Sequence, residues 1–593
     1  MIIVKFSHVL NVDDNDDRPG YQTYVSSNKE NHVLPSSFAP SPSQEITVFP
    51  GNVYSTADRV NELPKSKMLL ILIAVAFATL FFWLWMRMKK AFNFWEERGV
   101  PFKKPVFFFG NSWPILSRKV SMAQHHLNLY KEFPDVPYYG IYDFTKPFLV
   151  VKDIELVERV LIKDFHHFVD HGFGNIDENT PATDINLFNM NGKLWRAMRN
   201  KFSPMFTTGK LRQMVPLMNT LSNSLVGAIE KSKEKDIDLR DMFQRFSMDV
   251  IASCAFGLNV NAIEEEKESE FRKMGKMAFQ TTYKQLMRFF IITLFPKVAK
   301  FFRIPMNNPI VTEYFSKILK DTLTYRKNSS QTRNDFVQLF VTLQQKGSIE
   351  FEGDDTEDSY LKTEGGEKVE KKMESYALTD DIMVGQAFIF LVAGFEGTSL
   401  AMMWFCYELA LHPEIQARAR ADVVRAVKNR GGVLDYDTLK EMTYFDQCLQ
   451  EVNRFHSFIG SLFRICTKDY TFPGTSLSIK AGQSVLIPAN GIHDDPAYYE
   501  EPDKFNPDRF APDVTRPNCT YLPFGDGPRV CIAMRFALTE VRLCVARMLL
   551  DYTFALSPKT KLPLEIDTTS FTNLPKNPVY FTLTKATEVD IAA

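Results

Sequence analysis

Tyr521-Leu-Pro-Phe-Gly-Asp-Gly-Pro-Arg-Val-Cys-Ile-Ala-Met-Arg-Phe-Ala537 is the stretch whose reading decides the fold. Two glycines and two prolines fall within Pro523–Arg529, which forbids a regular helix or strand up to that arginine. The run after Cys531 (Ile532, Met534, Phe536, Ala537, Leu538) reads as a helix. Cys531 therefore stands where a tight loop becomes a helix N-terminus. Unpaired backbone N–H groups and the positive end of the helix dipole favour a thiolate at such a place. Taken singly, a cysteine is more often a small buried hydrophobe, and that is the expected state of the other six.

Working outward, Asp446-x-x-x-x-Glu451-Val-Asn-Arg454 reads as a helix with Glu451 and Arg454 on neighbouring positions. Asn191-Gly-Lys-Leu-Trp195-Arg-Ala-Met-Arg199 reads as a helix after a turn, with Trp195 and Arg199 on one face. Each alone is an ordinary amphipathic helix. Thr379-Asp-Asp381 caps a long helix running to Leu411. Its Ala387–Leu411 part is long and apolar enough for a membrane span. Glu396, Gly394, Gly397, Thr398 and Ser399 at its middle suit a buried helix with a small polar break instead. Leu286–Met306, aromatic, basic and broken by Pro296 and Pro305, reads as a core helix with its loop. Residues 347–375 are charged and poor in apolar residues, which predicts a solvated insertion.

The chain has 593 residues, enough for a large core, and a net charge of −1, so no overall field points to nucleic acid. Fifty-one phenylalanines suggest large apolar cavities or a membrane surface; the seven cysteines contain no CxxC pair, which leaves neither a zinc site nor a disulfide framework. Reduced thiols on the cytosolic side fit this usage. Residues 1–67, with Asp13–Asp17 and the Pro/Ser stretch 35–43, read as a disordered tail or a gene-model extension ahead of a natural start at Met68. Met68–Met86 gives 19 uncharged, strongly apolar residues, a single-pass anchor assigned to residues 68–88. A cleaved signal peptide is the competing reading, but no small-residue cleavage site follows. Arg87, Lys89, Lys90, Arg98, Lys103 and Lys104 place the C-terminal side in the cytosol. Residues 89–111 form a basic, proline-rich hinge ahead of a large folded domain, 112–593.

Phe524-x-x-Gly527-x-Arg529-x-Cys531 resembles the cysteine loop of the cytochrome P-450 superfamily, the haem-thiolate monooxygenases. Lys163–Phe168, Phe202–Leu211, Asp249–Gly257, Gly491–Pro496 and Pro507-Asp-Arg509-Phe510 resemble the animal microsomal clan that includes drug- and toxin-oxidising enzymes. The resemblance covers about residues 68–586. It implies a mainly α fold with a small β region, haem b as cofactor and Cys531 as the iron ligand. It implies Arg529, Trp195, Arg199 and Arg464 around the haem propionates, Phe524 beside the sulfur, and a Glu451–Arg454–Arg509 network supporting the loop. It implies an endoplasmic reticulum anchor, NADPH-derived electrons through a flavoprotein reductase, cytochrome b5 as a further partner, and an apolar substrate such as a xenobiotic, steroid or fatty acid. Ala393-Gly-Phe-Glu396-Gly-Thr398 resembles the oxygen-activation motif, with Glu396 and Thr398 as the catalytic, proton-delivering pair.

Two departures stand out. Ala533 replaces a glycine two residues after the cysteine, a matter of modest crowding. Gly397 replaces the threonine that follows the acidic residue, and Thr398 can substitute only if the helix is distorted there. The expected consequence is leakage to hydrogen peroxide, or a substrate whose own hydroxyl completes the relay. A haem-thiolate isomerase or dehydratase, which acts on a peroxide without NADPH and needs no proton relay, is the rival reading that Gly397 favours.

Overall fold

The computed structural model describes residues 65–172, 180–232, 235–265, 267–279, 282–329, 333, 335–352 and 373–586. The expected tail up to residue 64 and the 353–372 part of the charged insertion lie outside the described residues.

Helix α1 (Lys65–Phe92) contains the predicted anchor and ends in Lys89 and Lys90. It is apolar all round, and Phe77, Leu80, Phe81, Phe82 and Trp83 are exposed. The proline-rich stretch after it is built into the domain rather than left as a free hinge. Trp95 is fully buried, and its Nε1 donates to the Ile141 carbonyl at 3.1 Å. Gly140 N donates to Pro101 O at 2.7 Å, Lys103 N to Gly140 O at 3.0 Å, and Asn111 N to Tyr142 O at 2.7 Å. The prolines fit here because an edge position leaves their missing N–H unneeded.

The strands that position the site are β1 (Tyr138–Asp143), β2 (Lys146–Val151), β3 (Asp236–Asp238), β4 (Leu462–Ile465), β5 (Ser484–Ile487), β6 (Tyr552–Leu556) and β7 (Tyr580–Lys585). One sheet has the order β1-β2-β5-β4, with only β2 and β5 parallel. The other runs β6-β7-β3, antiparallel throughout. Helices supply the rest of the frame: α2 (Gly192–Phe202), α3 (Thr208–Lys231), α4 (Leu239–Ile251), α5 (Asp380–Leu411), α6 (Thr443–Phe455) and α7 (Met534–Asp551).

Helix α5 starts as expected, with Thr379 Oγ1 accepting from Ile382 N. Asp380 and Asp381 in its first turn pair with Lys327 and Lys320 at 2.9 and 2.8 Å. Most of its side chains are buried, against α4 on one side and α7 on another. A helix apolar on every face is stable in water only when enclosed, so α5 is the core helix and not a second span.

The Glu451–Arg454–Arg509 network forms. Arg454 Nε and Nη2 donate to the two Glu451 oxygens at 2.7 and 2.8 Å, a bidentate pair of two buried residues. Arg509 Nε adds a bond to Glu451 at 3.3 Å. Arg454 Nη1 also donates to the His493 carbonyl at 2.7 Å, and His493 Nε2 accepts from Leu522 N at 2.8 Å. Burial, then the neighbouring Arg454 charge, push His493 down to about 3, which keeps it a neutral acceptor. The ion pair therefore reaches the cysteine loop through one imidazole. Arg454→Leu leaves Glu451 charged and enclosed, so it should cost about 3–5 kcal/mol in chemical denaturation. Glu451→Gln combined with Arg454→Leu should cost less than that single change, because the stranded charge is gone.

Candidate active site

The cysteine loop folds as its composition dictates. Gly525 and Gly527 have φ of 73° and 70°. At Gly527 a Cβ would drive into the Leu161 carbonyl, so both the dihedral and the space demand glycine. Asp526 Oδ1 accepts from Gly527 N at 2.7 Å, and Gly527–Arg529 makes a single 3-10 turn. The loop closes when Cys531 N donates to Phe524 O at 2.9 Å. This brings half-buried Phe524 beside the cysteine. Helix α7 begins three residues later, with Ala533 as its N-cap at φ −95°, a conformation that an alanine adopts without strain.

Cys531 alone among the seven cysteines keeps accessible surface; the other six are buried. Burial nevertheless raises its thiol pKa, while the Ala533 and Met534 N–H groups and the Arg199 charge pull it down. An accessible sulfur with that much protein around it faces an interior chamber rather than bulk water. The helix terminus favours the thiolate as expected, but desolvation outweighs it.

Three guanidinium groups gather near this sulfur. Arg529 is buried, with Nε donating to Val169 O at 2.8 Å and Nη2 to Met190 O at 2.6 Å. Its Cζ lies 4.0 Å from the centre of the buried Trp195 ring, which Arg199 on the same helix α2 approaches to 6.0 Å. Arg464 on β4 is buried, gives Nη1 to the Phe463 carbonyl, and leaves Nε without a hydrogen-bond partner. Burial pushes Arg464 down to about 10; burial and then Arg464 push Arg529 down to about 9. His171 is held well below its usual range by burial and by Arg464, Arg529 and Arg199. The nearby carboxylate, Asp170, stands 3.9 Å from Arg529. Among the described residues, one carboxylate against three arginines leaves a strong demand for anionic groups. The two propionates of a haem b would meet that demand, and the accessible Cys531 sulfur could ligate its iron, so the residues present fit the group.

The proton-handling residues are placed less simply. Accessible surface recurs as a stripe through the middle of α5 at Ile389, Ala393, Gly397 and Ala401, four residues apart, with Gly394 beside it. Gly397 faces the chamber with that stripe. Glu396 is buried away from it, accepting from Gln244 Nε2 at 2.7 Å and from Arg240 Nη2 at 3.1 Å, both on α4. Thr398 also turns to α4: its Oγ1 lies 2.9 Å from Ser247 Oγ and 2.9 Å from the Gly394 carbonyl. Helix α5 is unbroken through this turn. The distortion that would carry Thr398 into the place of a residue-397 hydroxyl is not what the structure has, because the Thr398 hydroxyl already has partners on the other side.

Sequence reasoning missed two groups here. Ser247 carried no motif. Glu540, on α7, is fully buried, and neither carboxyl oxygen makes a well-aligned hydrogen bond. Burial pushes its pKa up to about 8, with the Ser247 and Thr398 hydroxyls close enough to oppose that rise. A cleft of about 730 Å³ lies elsewhere, lined by Trp404, Glu408, His412 and His456, and includes none of the predicted site residues.

The cytochrome P450 family model matches residues 100–581. Cytochrome P450 6B2 of Helicoverpa armigera is 33% identical over 491 residues, 82% of this chain and 93% of that protein. A probable cytochrome P450 6a14 of Drosophila melanogaster is 35% identical over 493 residues, 81% of this chain and 93% of that protein. Cytochrome P450 6B1 of Papilio polyxenes is 31% identical over 500 residues, covering 84% and 96%. The chain belongs to the cytochrome P450 family. This P450 is a haem-thiolate monooxygenase whose cofactor is haem b and whose electrons come from NADPH through a partner reductase.

Glu540 gives this P450 a pH signature. Its folded pKa is raised above the ordinary carboxyl value, so the folded state pays no penalty below about 4.5 and loses stability as pH rises towards about 8. Glu540→Gln should flatten the fall in Tm across that window, with little change at its acid end.

Proposed function

We propose that this P450 is held in the endoplasmic reticulum membrane by Met68–Met86, with its catalytic domain in the cytosol, and that it oxidises an apolar small molecule of the xenobiotic, steroid or fatty-acid class. The anchor is supported by the apolar, exposed α1 and the cations that follow it. Exposed Phe295, Phe301 and Phe302 form a second apolar surface suited to lipid. Cytochrome b5 joins the reductase as an electron donor in this reading.

The observation that carries the site assignment is the surplus of guanidinium over carboxylate beside an accessible cysteine. Cys531 Sγ is the iron ligand; Arg199, Arg464 and Arg529 hold the propionates; Trp195 keeps Arg529 in place through its ring; Phe524 covers the sulfur. When bound, haem b supplies oxygen activation. Glu396 relays protons from solvent at the margin of the site: its ion-pair partner Arg240 has a side chain 26% exposed. Thr398 ties α5 to Ser247 and Glu540 and takes no part in proton delivery to the chamber.

With reductase, NADPH and a panel of apolar compounds, Glu396→Gln should lower product formed per NADPH, whereas Thr398→Ala should leave that ratio unchanged. A fall with Thr398→Ala would restore the Glu396–Thr398 pair. Turnover of a peroxide with no NADPH requirement would favour the isomerase or dehydratase reading.

A further inference from the structure

The three atoms nearest to where a side chain at position 397 would start all belong to Phe458. A Cβ there would meet Cε1 and Cζ of Phe458 at 3.7 Å and Cε2 at 3.8 Å, with nothing nearer. Three ring atoms at almost one distance put that Cβ above the ring centre, so the phenyl face lies against residue 397. The contact is an ordinary van der Waals one, so alanine fits. A threonine adds two γ atoms roughly 1.5 Å beyond Cβ on a stiff χ1, and the ring has to swing to admit them.

Phe458 has little freedom to swing. It lies in the connection between α6 and β4, and that backbone is pinned on both sides. Asn573 Nδ2 donates to Ser457 O at 2.6 Å, Ser457 Oγ to Ile459 O at 3.2 Å, and Asn490 N to Gly460 O at 3.0 Å. The ring is half-buried, and its neighbour Ile459 is 39% exposed. The accessible stripe of α5 and this connection thus face each other.

We propose that Gly397 and Phe458 form a matched pair in which the phenyl ring takes the space of the absent residue-397 side chain, making Phe458 a specificity-determining wall beside the reacting centre. This rests on reading Ala393–Thr398 as the oxygen-activation segment. At this turn of the chamber an aromatic face stands where a hydroxyl would otherwise be. Restoring threonine alone overpacks it, and removing the ring alone opens it to wider ligands.

The test uses the full-length, haem-loaded protein and two probes that bind haem iron through nitrogen, imidazole and 4-phenylimidazole, each read from the Soret shift. Gly397→Ala should bind both like the parent. Gly397→Thr should weaken 4-phenylimidazole about tenfold relative to imidazole. Phe458→Ala should strengthen 4-phenylimidazole, and adding Gly397→Thr to Phe458→Ala should weaken it less than about twofold, against the tenfold loss that the same change causes in the parent. Gly397→Ser, with one γ atom, should fall between alanine and threonine, and it serves if the threonine variant loses haem. Additive effects, or a silent Phe458→Ala, would overturn the pair while leaving the haem site intact. Parent protein that loads haem but shows no Soret response to either probe would overturn the reading of the site itself.

Discussion

Charge drives this architecture. Arg199, Arg464 and Arg529 are drawn together on α2, β4 and the cysteine loop with Asp170 the one carboxylate beside them among the described residues, and burial lowers the pKa of all three. Such a cluster is unfavourable by itself, since each guanidinium repels the others and desolvation penalises all of them. It persists because Arg529 is tied to three backbone carbonyls and stacked over Trp195, and because the frame around it is rigid. An anionic cofactor turns the repulsion into binding energy.

The frame works by relaying constraint to one loop. Glu451 fixes Arg454, Arg454 fixes the His493 carbonyl, and the His493 ring fixes Leu522 N at the start of the cysteine loop. From the other end, Gly527 lets the loop press against Leu161, and α7 starts just past Cys531. The sulfur is thereby held by contacts from distant parts of the chain. Helix α5 passes through the same core, showing the chamber its small residues and giving its polar ones to α4.

Local chemistry made much of this legible beforehand. The Gly-Asp-Gly-Pro loop, the Thr379 cap, the uncharged Met68–Met86 run and the polar break in α5 all follow from propensities or patterns within a few residues. What stayed hidden was long-range. The docking of Pro101–Asn111 onto β1 needs a strand some forty residues away. The direction of Thr398 is set by Ser247, 151 positions distant, and the state of Glu540 by burial that no local pattern reports. Phe458 could not be matched to Gly397 without the path of the α6–β4 connection.

The central claim is that the cationic cluster and Cys531 together make a haem-thiolate site, and the reduced, carbon monoxide-bound absorption spectrum of the full-length protein tests it most directly. The account predicts the red-shifted Soret band of thiolate ligation, and its loss in Cys531→His with haem retained. A Cys531→Ala protein that kept the band would contradict it.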